Sequence, residues 1–349
     1  MKSYRVVGLM SGTSMDGVDV ALCVFENKNS RWNFSIECAR TVPYTQGWKK
    51  RLAGCVNAGA EELAFMNASY GQFLGSLVKE FLINNKISAD FVASHGHTVF
   101  HQPSREFTYQ LGDGAAISAA CGLPVVCDFR SADVALGGEG APLVPVGDQF
   151  LFSEYKSCLN LGGIANISFD KGGKRIAFDI CPVNLLLNPL ALEKGKSYDA
   201  GGKLAMKGKV REKLLGKLNA IPFYKKPFPK SLGREDIEKF FLKILEKDSG
   251  SPEDKLCTLC EHMAIQVSAV APSGKMLVTG GGAYNTFLIS RMKACVKADV
   301  VIPESQAIEF KEALIFAFLG VLRWRNEVNC LASVTGAIRD SSGGAIYHP

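Results

Sequence analysis

Apolar residues run from 4 to 10, give way to Ser11, Gly12, Thr13, Ser14, Met15, Asp16 and Gly17, and resume over 18–25. Two apolar runs joined by a turn of small residues predict a strand, a glycine turn and a second strand. The same pattern returns about 150 residues later, the separation of two domains of ordinary size. Residues 156–161 read as a strand, Gly162 and Gly163 as the turn and 164–169 as the next strand, with Asn160 and Asn166 beside the glycines. A third cluster lies at 276–285, where Leu277, Val278 and Thr279 run into Gly280, Gly281 and Gly282 and then into a helical pattern over 285–296. A strand end meeting a helix start is a natural seat for an adenosine or phosphate group.

The turn chemistry sharpens this reading. Gly12 and Gly17 remove two Cβ atoms, so backbone amides can approach an anion, and the hydroxyls of Ser11, Thr13 and Ser14 add donors. Asp16 and Asp19 would repel a bare phosphate but make sense if Mg²⁺ lies between carboxylate and phosphate oxygens. An exposed hairpin with small residues at its tip is the plain alternative for this segment taken alone. The expected nucleotide contacts are Gly12, Thr13, Ser14, Met15, Asp16, Gly17, Val18 and Asp19, then Gly162 and Gly163, then Gly280, Gly281, Gly282 and Asn285, with Asp16 on the metal. None of the clusters matches G-x-x-x-x-G-K-[ST], and G-G-G-A-Y-N is a poor dinucleotide fingerprint.

Two phosphate-gripping hairpins and a late glycine turn predict an α/β, two-lobed ribonuclease-H-like fold with a central cleft, as in the actin, hexokinase and heat-shock-chaperone type of ATPase. The first lobe is expected over 1–128 together with the tail 336–349, and the second over 129–335. A final helix over 309–324 is expected near the hinge, helical insertions over 185–218 and 236–245, and an ordered, lysine-rich loop over 222–233 along the cleft.

Composition narrows the partners. With 349 residues, 47% hydrophobic, there is ample core for two domains. A net charge of +6 without a basic block suits anionic small ligands and argues against nucleic acid. The longest apolar run, 313–322, is too short for a bilayer, and no cleavable signal pattern precedes the first turn, so no membrane association and a cytoplasmic location are expected.

The eleven cysteines are odd in number, scattered and mostly inside apolar patterns, which reads as small buried hydrophobes in a reducing compartment. Cys257 and Cys260 form a C-x-x-C inside a helical stretch over 254–270 without a partner pair, so a structural role competes with a redox or zinc site. His95, His97 and His101 follow a short strand over 91–94; in a loop at a cleft mouth they could bond sugar oxygens, fill core or hold a metal. Asp179 follows a strand over 175–178, directly after the second hairpin, where a γ-phosphate would lie; it could also cap the helical run over 184–193.

The motifs identify the chain as similar to the anhydro-N-acetylmuramic acid kinases, bacterial enzymes of peptidoglycan recycling. They are G-L-M-S-G-T-S-M-D-G-V-D at 8–19, S-H-G-H-T-V-F-H-Q-P at 94–103, Q-L-G-D-G-A at 110–115 and D-F-R-S-A-D-V-A-L-G-G-E-G-A-P-L-V-P at 128–145. They continue with N-L-G-G-I-A-N-I-S at 160–168, F-D-I-C-P-V-N at 178–184, K-S-L-G-R-E at 230–235, G-G-G-A-Y-N at 280–285 and S-V-T-G-A at 333–337. The resemblance implies ATP and Mg²⁺ as cofactors, a small anhydro-amino-sugar substrate and a homodimer. It implies that Asp179 is the general base that deprotonates a water attacking the anomeric carbon, while the 6-oxygen takes the γ-phosphoryl group. Arg130 could pair with the substrate's lactyl carboxylate or with phosphate, and His95, His97, Asp113, Asp133 and Asn184 are expected to contact the sugar. A buried ion pair of Arg130 with Asp128 or Asp133 is the competing structural reading.

Several positions depart from the common family pattern. Cys181, Val183 and Asn188 stand where two glycines and an acidic residue are usual, and Glu139 and His97 each replace a glutamine. Three functions therefore stay open: the anhydro-sugar kinase, a sugar or acid kinase with another substrate, and a chaperone-like nucleotide switch. The last would call for a peptide-binding domain that this chain is not expected to carry.

Overall fold

The computed structural model describes residues 3–349 apart from Thr13, Ser14 and Ser30, and apart from the side chain of Arg234. By its internal contacts the chain forms two compact units, Met1–Leu151 with Phe310–Pro349, and Phe152–Glu309.

In the first unit, β1 (Ser3–Ser11), β2 (Gly17–Lys28) and β3 (Arg31–Pro43) form an antiparallel meander. β4 (Phe91–Gln102) joins β1 in parallel, β5 (Phe107–Leu111) returns against β4, and β6 (Val125–Cys127) continues the parallel edge. The second unit repeats the plan. β7 (Ser157–Leu161), β8 (Ile164–Lys171) and β9 (Lys174–Pro182) make the meander, and β10 (Gly274–Thr279) and β11 (Ala298–Val301) extend it in parallel from β7. β12 (Ala345–Tyr347) closes the first sheet against β6. Both sheets therefore place a meander's first strand at the centre, beside the first parallel strand, which is the ribonuclease-H-like order expected from the doubled hairpin.

Alternation along β1 explains how two helices share one sheet. Val7 and Leu9 face the core built on the helix Ala60–Asn85 through Leu74, Val78 and Phe81. On the other face the helix Lys311–Trp324 lies so close that a Cβ on Gly8 would strike the Ala313 carbonyl, and one on Gly320 would come within 2.6 Å of the Ala93 Cβ. Phe316 and Phe318 fill that face at 1% and 0% exposure, each worth about 2–3 kcal/mol of burial.

That helix corrects the expected boundaries. Its apolar surface packs on the first sheet, so 310–335 belongs to the first unit rather than the second. The helix Val144–Leu151 goes with it, since Gly147 sits under Ile315 and the buried Asp148 pairs with Lys311 at 2.7 Å. The division thus falls after Leu151 rather than after 128.

Candidate active site

The first glycine turn is framed by Ser11 at the end of β1 and Gly17 at the start of β2; Thr13 and Ser14 lie outside the described residues. Met15 has a left-handed φ of 55°, and its amide donates to the Gly12 carbonyl at 3.3 Å. Asp16 is exposed, and its carbonyl accepts from the Tyr44 amide at 3.1 Å. A Cβ on Gly17 would meet Val42, so this position tolerates only glycine without movement of β3. Val18 points into the core, leaving only its backbone to the turn. The Asp19 carboxylate accepts from the Thr41 hydroxyl at 2.6 Å.

Behind the turn runs a buried chain of hydroxyls. Ser11 Oγ lies 2.7 Å from Tyr44 Oη and 3.0 Å from His97 Nδ1, and Tyr44 Oη lies 2.6 Å from Tyr70 Oη. The histidines are not in a loop: β4 continues to Gln102 because β5 supplies a partner for its second half, so His95, His97 and His101 are strand residues. His97 is registered opposite Ser11.

His95 is 6% exposed and fully engaged. Its Nδ1 donates to the Gly96 carbonyl at 2.8 Å, so its Nε2 carries a lone pair, and Arg130 donates to it from Nε at 3.0 Å and from Nη2 at 2.8 Å. Burial and the guanidinium push the imidazole down to about 3, and burial pulls Arg130 down to about 10. Arg130 also donates to the Gly140 carbonyl at 2.6 Å; among the described residues it makes no ion pair with Asp128 or Asp133. Asp133 is 1% exposed and accepts from the Thr335 hydroxyl and the Gly140 amide, at 2.7 and 2.8 Å. It braces the loop beneath Arg130 and has no surface to offer a sugar, contrary to expectation. Asp113 caps the helix Gly114–Cys121 by accepting from the Ala116 amide at 2.7 Å.

In the second unit the predicted pieces converge. Val183 and Leu185 amides donate to the Gly163 carbonyl at 2.8 and 3.3 Å, and the Asn184 amide to the Gly162 carbonyl at 3.3 Å. The first amides of the helix Asn184–Leu192 are thus satisfied by the hairpin rather than by a side-chain cap, and Asp179 is not that cap. Gly280, with φ 80°, and Gly282 pack on the end of β7, where Cβ atoms would come within 2.5 Å of Asn160 Oδ1 and 2.7 Å of Leu161 Cβ. Gly281 lies near Asn184, its Cβ position 3.7 Å from Nδ2. Asn285 caps the helix Thr286–Cys295 by accepting from the Leu288 amide at 3.0 Å.

Asp179 lies within β9 rather than beyond it, because β8 keeps pairing as far as Pro182. Strand register sets Thr279, Asn160, Asn166 and Asp179 in one row across four strands. The loop at 222–233 brackets Asp179: its amide donates to the Lys230 carbonyl at 3.0 Å, and its Oδ2 accepts from the Leu232 amide at 2.9 Å. Burial raises the carboxyl's pKa and the Leu232 amide partly offsets this. Cys181 and Val183 are fully buried in the core of the unit, and Asn188 is half-buried.

Glu312 is a residue the sequence reading missed. It stands in the first turn of the helix Lys311–Trp324, and although the residue reaches solvent, desolvation of its carboxyl raises the pKa, opposed by Arg130 and reinforced by Asp19. A charged residue at the first turn of an apolar helix was its only signal. An apolar cavity of about 690 Å³ reaches the second hairpin at Ile164 and is walled by Leu185, Leu186, Pro189 and Ile237; Asp179 does not line it. All eleven cysteines are free thiols, and Cys257 and Cys260 are buried on the helix Pro252–Val270. No helix among the described residues is long and apolar enough to cross a membrane.

Two ribonuclease-H-like sheets each carry a glycine turn between their first two strands, and this chain is a phosphotransferase. A family model described as anhydro-N-acetylmuramic acid kinase matches residues 4–349, and the chain belongs to that family. An anhydro-N-acetylmuramic acid kinase of Coxiella burnetii is 36% identical over 371 residues, covering 99% of this chain and 98% of the relative. That of Saccharophagus degradans is 34% identical over 375 residues and covers 100% of both. Among solved structures, the activator of the 2-hydroxyisocaproyl-CoA dehydratase from Clostridium difficile with bound ADPNP shares 13% identity at a TM-score of 0.47, covering 92% of this chain and 97% of that one. The fold assignment rests on the sheet order, not on that looser likeness.

Proposed function

We propose that this chain opens 1,6-anhydro-N-acetylmuramic acid with water and phosphorylates its 6-oxygen from ATP, giving N-acetylmuramic acid 6-phosphate for peptidoglycan recycling. The observation that carries the reading is Asp179, whose carboxyl has a raised pKa and accepts from the Leu232 amide, while its backbone amide donates to the Lys230 carbonyl; it stands in β9, after the Gly162–Gly163 hairpin. It takes a proton from water, the oxygen bonds to the anomeric carbon, and the bond from that carbon to the 6-oxygen breaks. The 6-oxygen takes the γ-phosphoryl group and ADP leaves, so phosphorus does the work of the second carboxylic acid that an inverting hydrolase requires.

ATP suits the glycine turns, and in the second unit Gly280, with its φ of 80°, holds its turn against the end of β7, where a Cβ would strike Asn160 Oδ1. Mg²⁺ needs few protein ligands when phosphates supply the rest, and Asp16 offers an exposed carboxylate beside the first turn. Bound there, it would neutralise charge on the phosphates. Arg130, held rigid by His95 and Gly140, suits an anionic group of the substrate. A homodimer in the cytoplasm completes the proposal.

The test is incubation with Mg–ATP and the anhydro sugar in ¹⁸O-water, followed by mass spectrometry, with Asp179→Asn as control. A 6-phosphorylated product labelled at the anomeric oxygen, absent with the variant, is expected. ADP and free phosphate with intact sugar would refute the substrate, and unlabelled phosphorylated product would refute the coupled opening.

A further inference from the structure

The loop that brackets Asp179 is itself pinned to a buried polar cluster 38 residues away in sequence, where Tyr224 Oη lies 2.7 Å from His262 Nε2. His262 is 0% exposed on the helix Pro252–Val270. Its Nδ1 lies 2.7 Å from Asn219 Oδ1, an oxygen that also accepts from Gln266 Nε2 at 2.9 Å. An amide oxygen can only accept, so His262 donates from Nδ1, and its bare Nε2 must take the Tyr224 hydroxyl proton. The cluster has one satisfied arrangement, with a neutral imidazole pushed down to about 3 by burial.

From Tyr224 the restraint passes to the far end of the loop. Lys230 Nζ donates to the carbonyls of Phe223 and Tyr224 at 3.3 and 3.5 Å and lies 4.6 Å from the Phe223 ring centroid. Phe228 stacks on Phe178, next to Asp179, at 5.1 Å and 10°, with Lys171 Nζ 4.5 Å from its own centroid. Residues 230 and 232 then meet the backbone and carboxylate of Asp179.

We propose that Tyr224 is a positioning residue for the reaction: anchored on His262 and tied to Lys230, it holds the Leu232 amide on the Asp179 carboxylate and so sets the aim and basicity of the base. This rests on Asp179 being the base. The Cys181 thiol, which feels the Asp179 charge, is kept neutral by burial, and the Lys230 ammonium is turned to the loop's own carbonyls. A hydrogen bond to a carboxylate favours its charged form, so loosening the loop raises the pKa of Asp179.

Tyr224→Phe and, as a variant away from the buried cluster, Lys230→Met are compared with Asp179→Asn and the unaltered enzyme. The expected result for both loop variants is kcat reduced about tenfold at pH 7, an acid limb of the kcat profile moved up by about one pH unit, and KM for ATP and sugar unchanged. Should Tyr224→Phe fail to fold, Lys230→Met alone decides. A dead Asp179→Asn with an unmoved acid limb in the loop variants would overturn the positioning role and leave the base intact. Full turnover by Asp179→Asn would overturn both.

Discussion

Arg130 spends two of its five donors on a single nitrogen of His95, from Nε at 3.0 Å and Nη2 at 2.8 Å. The pair works only while the imidazole is neutral, because protonation would remove the lone pair and set two cations together in a buried site. With Nη1 on the Gly140 carbonyl, the guanidinium is held rigid by neutral acceptors and keeps its full charge for an anion.

This predicts a pH-dependent stability. His95 and His262 are pushed down to about 3 in the folded chain, against about 6.5 when unfolded. The unfolded state binds more protons between these values, so the contribution is complete above about pH 6.5 and is lost as pH falls toward 3. Between pH 7.5 and 5, urea unfolding should show a loss of about 2 kcal/mol per histidine. His95→Gln should flatten the slope; an unchanged slope would contradict a neutral His95.

Asp179→Asn should reduce kcat by at least about a thousandfold while the melting temperature stays level or rises, since the folded state disfavours the charged carboxyl. In the unaltered enzyme kcat should fall with decreasing pH through an apparent pKa above the ordinary carboxylate range. An acid limb at or below pH 4 would contradict the raised pKa.

Restoring the family's glycines at Cys181 and Val183 should weaken the protein. Both side chains are fully buried in the core of the second unit, so glycine at either position would remove packed atoms. The double variant should lose about 2–5 kcal/mol in urea unfolding, from lost burial and added chain entropy. A gain in stability would mean that the two residues are strained.

Gly280→Ala should damage nucleotide binding. Its φ of 80° and the 2.5 Å approach of its Cβ position to Asn160 Oδ1 force the turn away from β7. The KM for ATP should rise at least about tenfold with a smaller change in that for sugar, because remote backbone contacts act on ground-state affinity. Equal effects on both KM values would place the turn's role elsewhere.

The strand–turn–strand units around Gly12 and Gly162, and the strand end at Gly280, were legible in the chain because apolar runs broken by glycines encode strands and turns within a dozen residues. The motifs carried the family. What surrounds them came from segments far apart in sequence. His95 meets Arg130 across 35 residues, and Asp179 meets Leu232 across 53. The histidine strand extends past residue 94 only because β5 pairs with it, and the helix Lys311–Trp324 joins the first unit only because Gly8 and Gly320 let it approach that sheet. Local periodicity and turn chemistry determine which elements form. Strand register and the single satisfied arrangement of buried polar groups, both set by packing between distant segments, decide which side chains stand beside the chemistry.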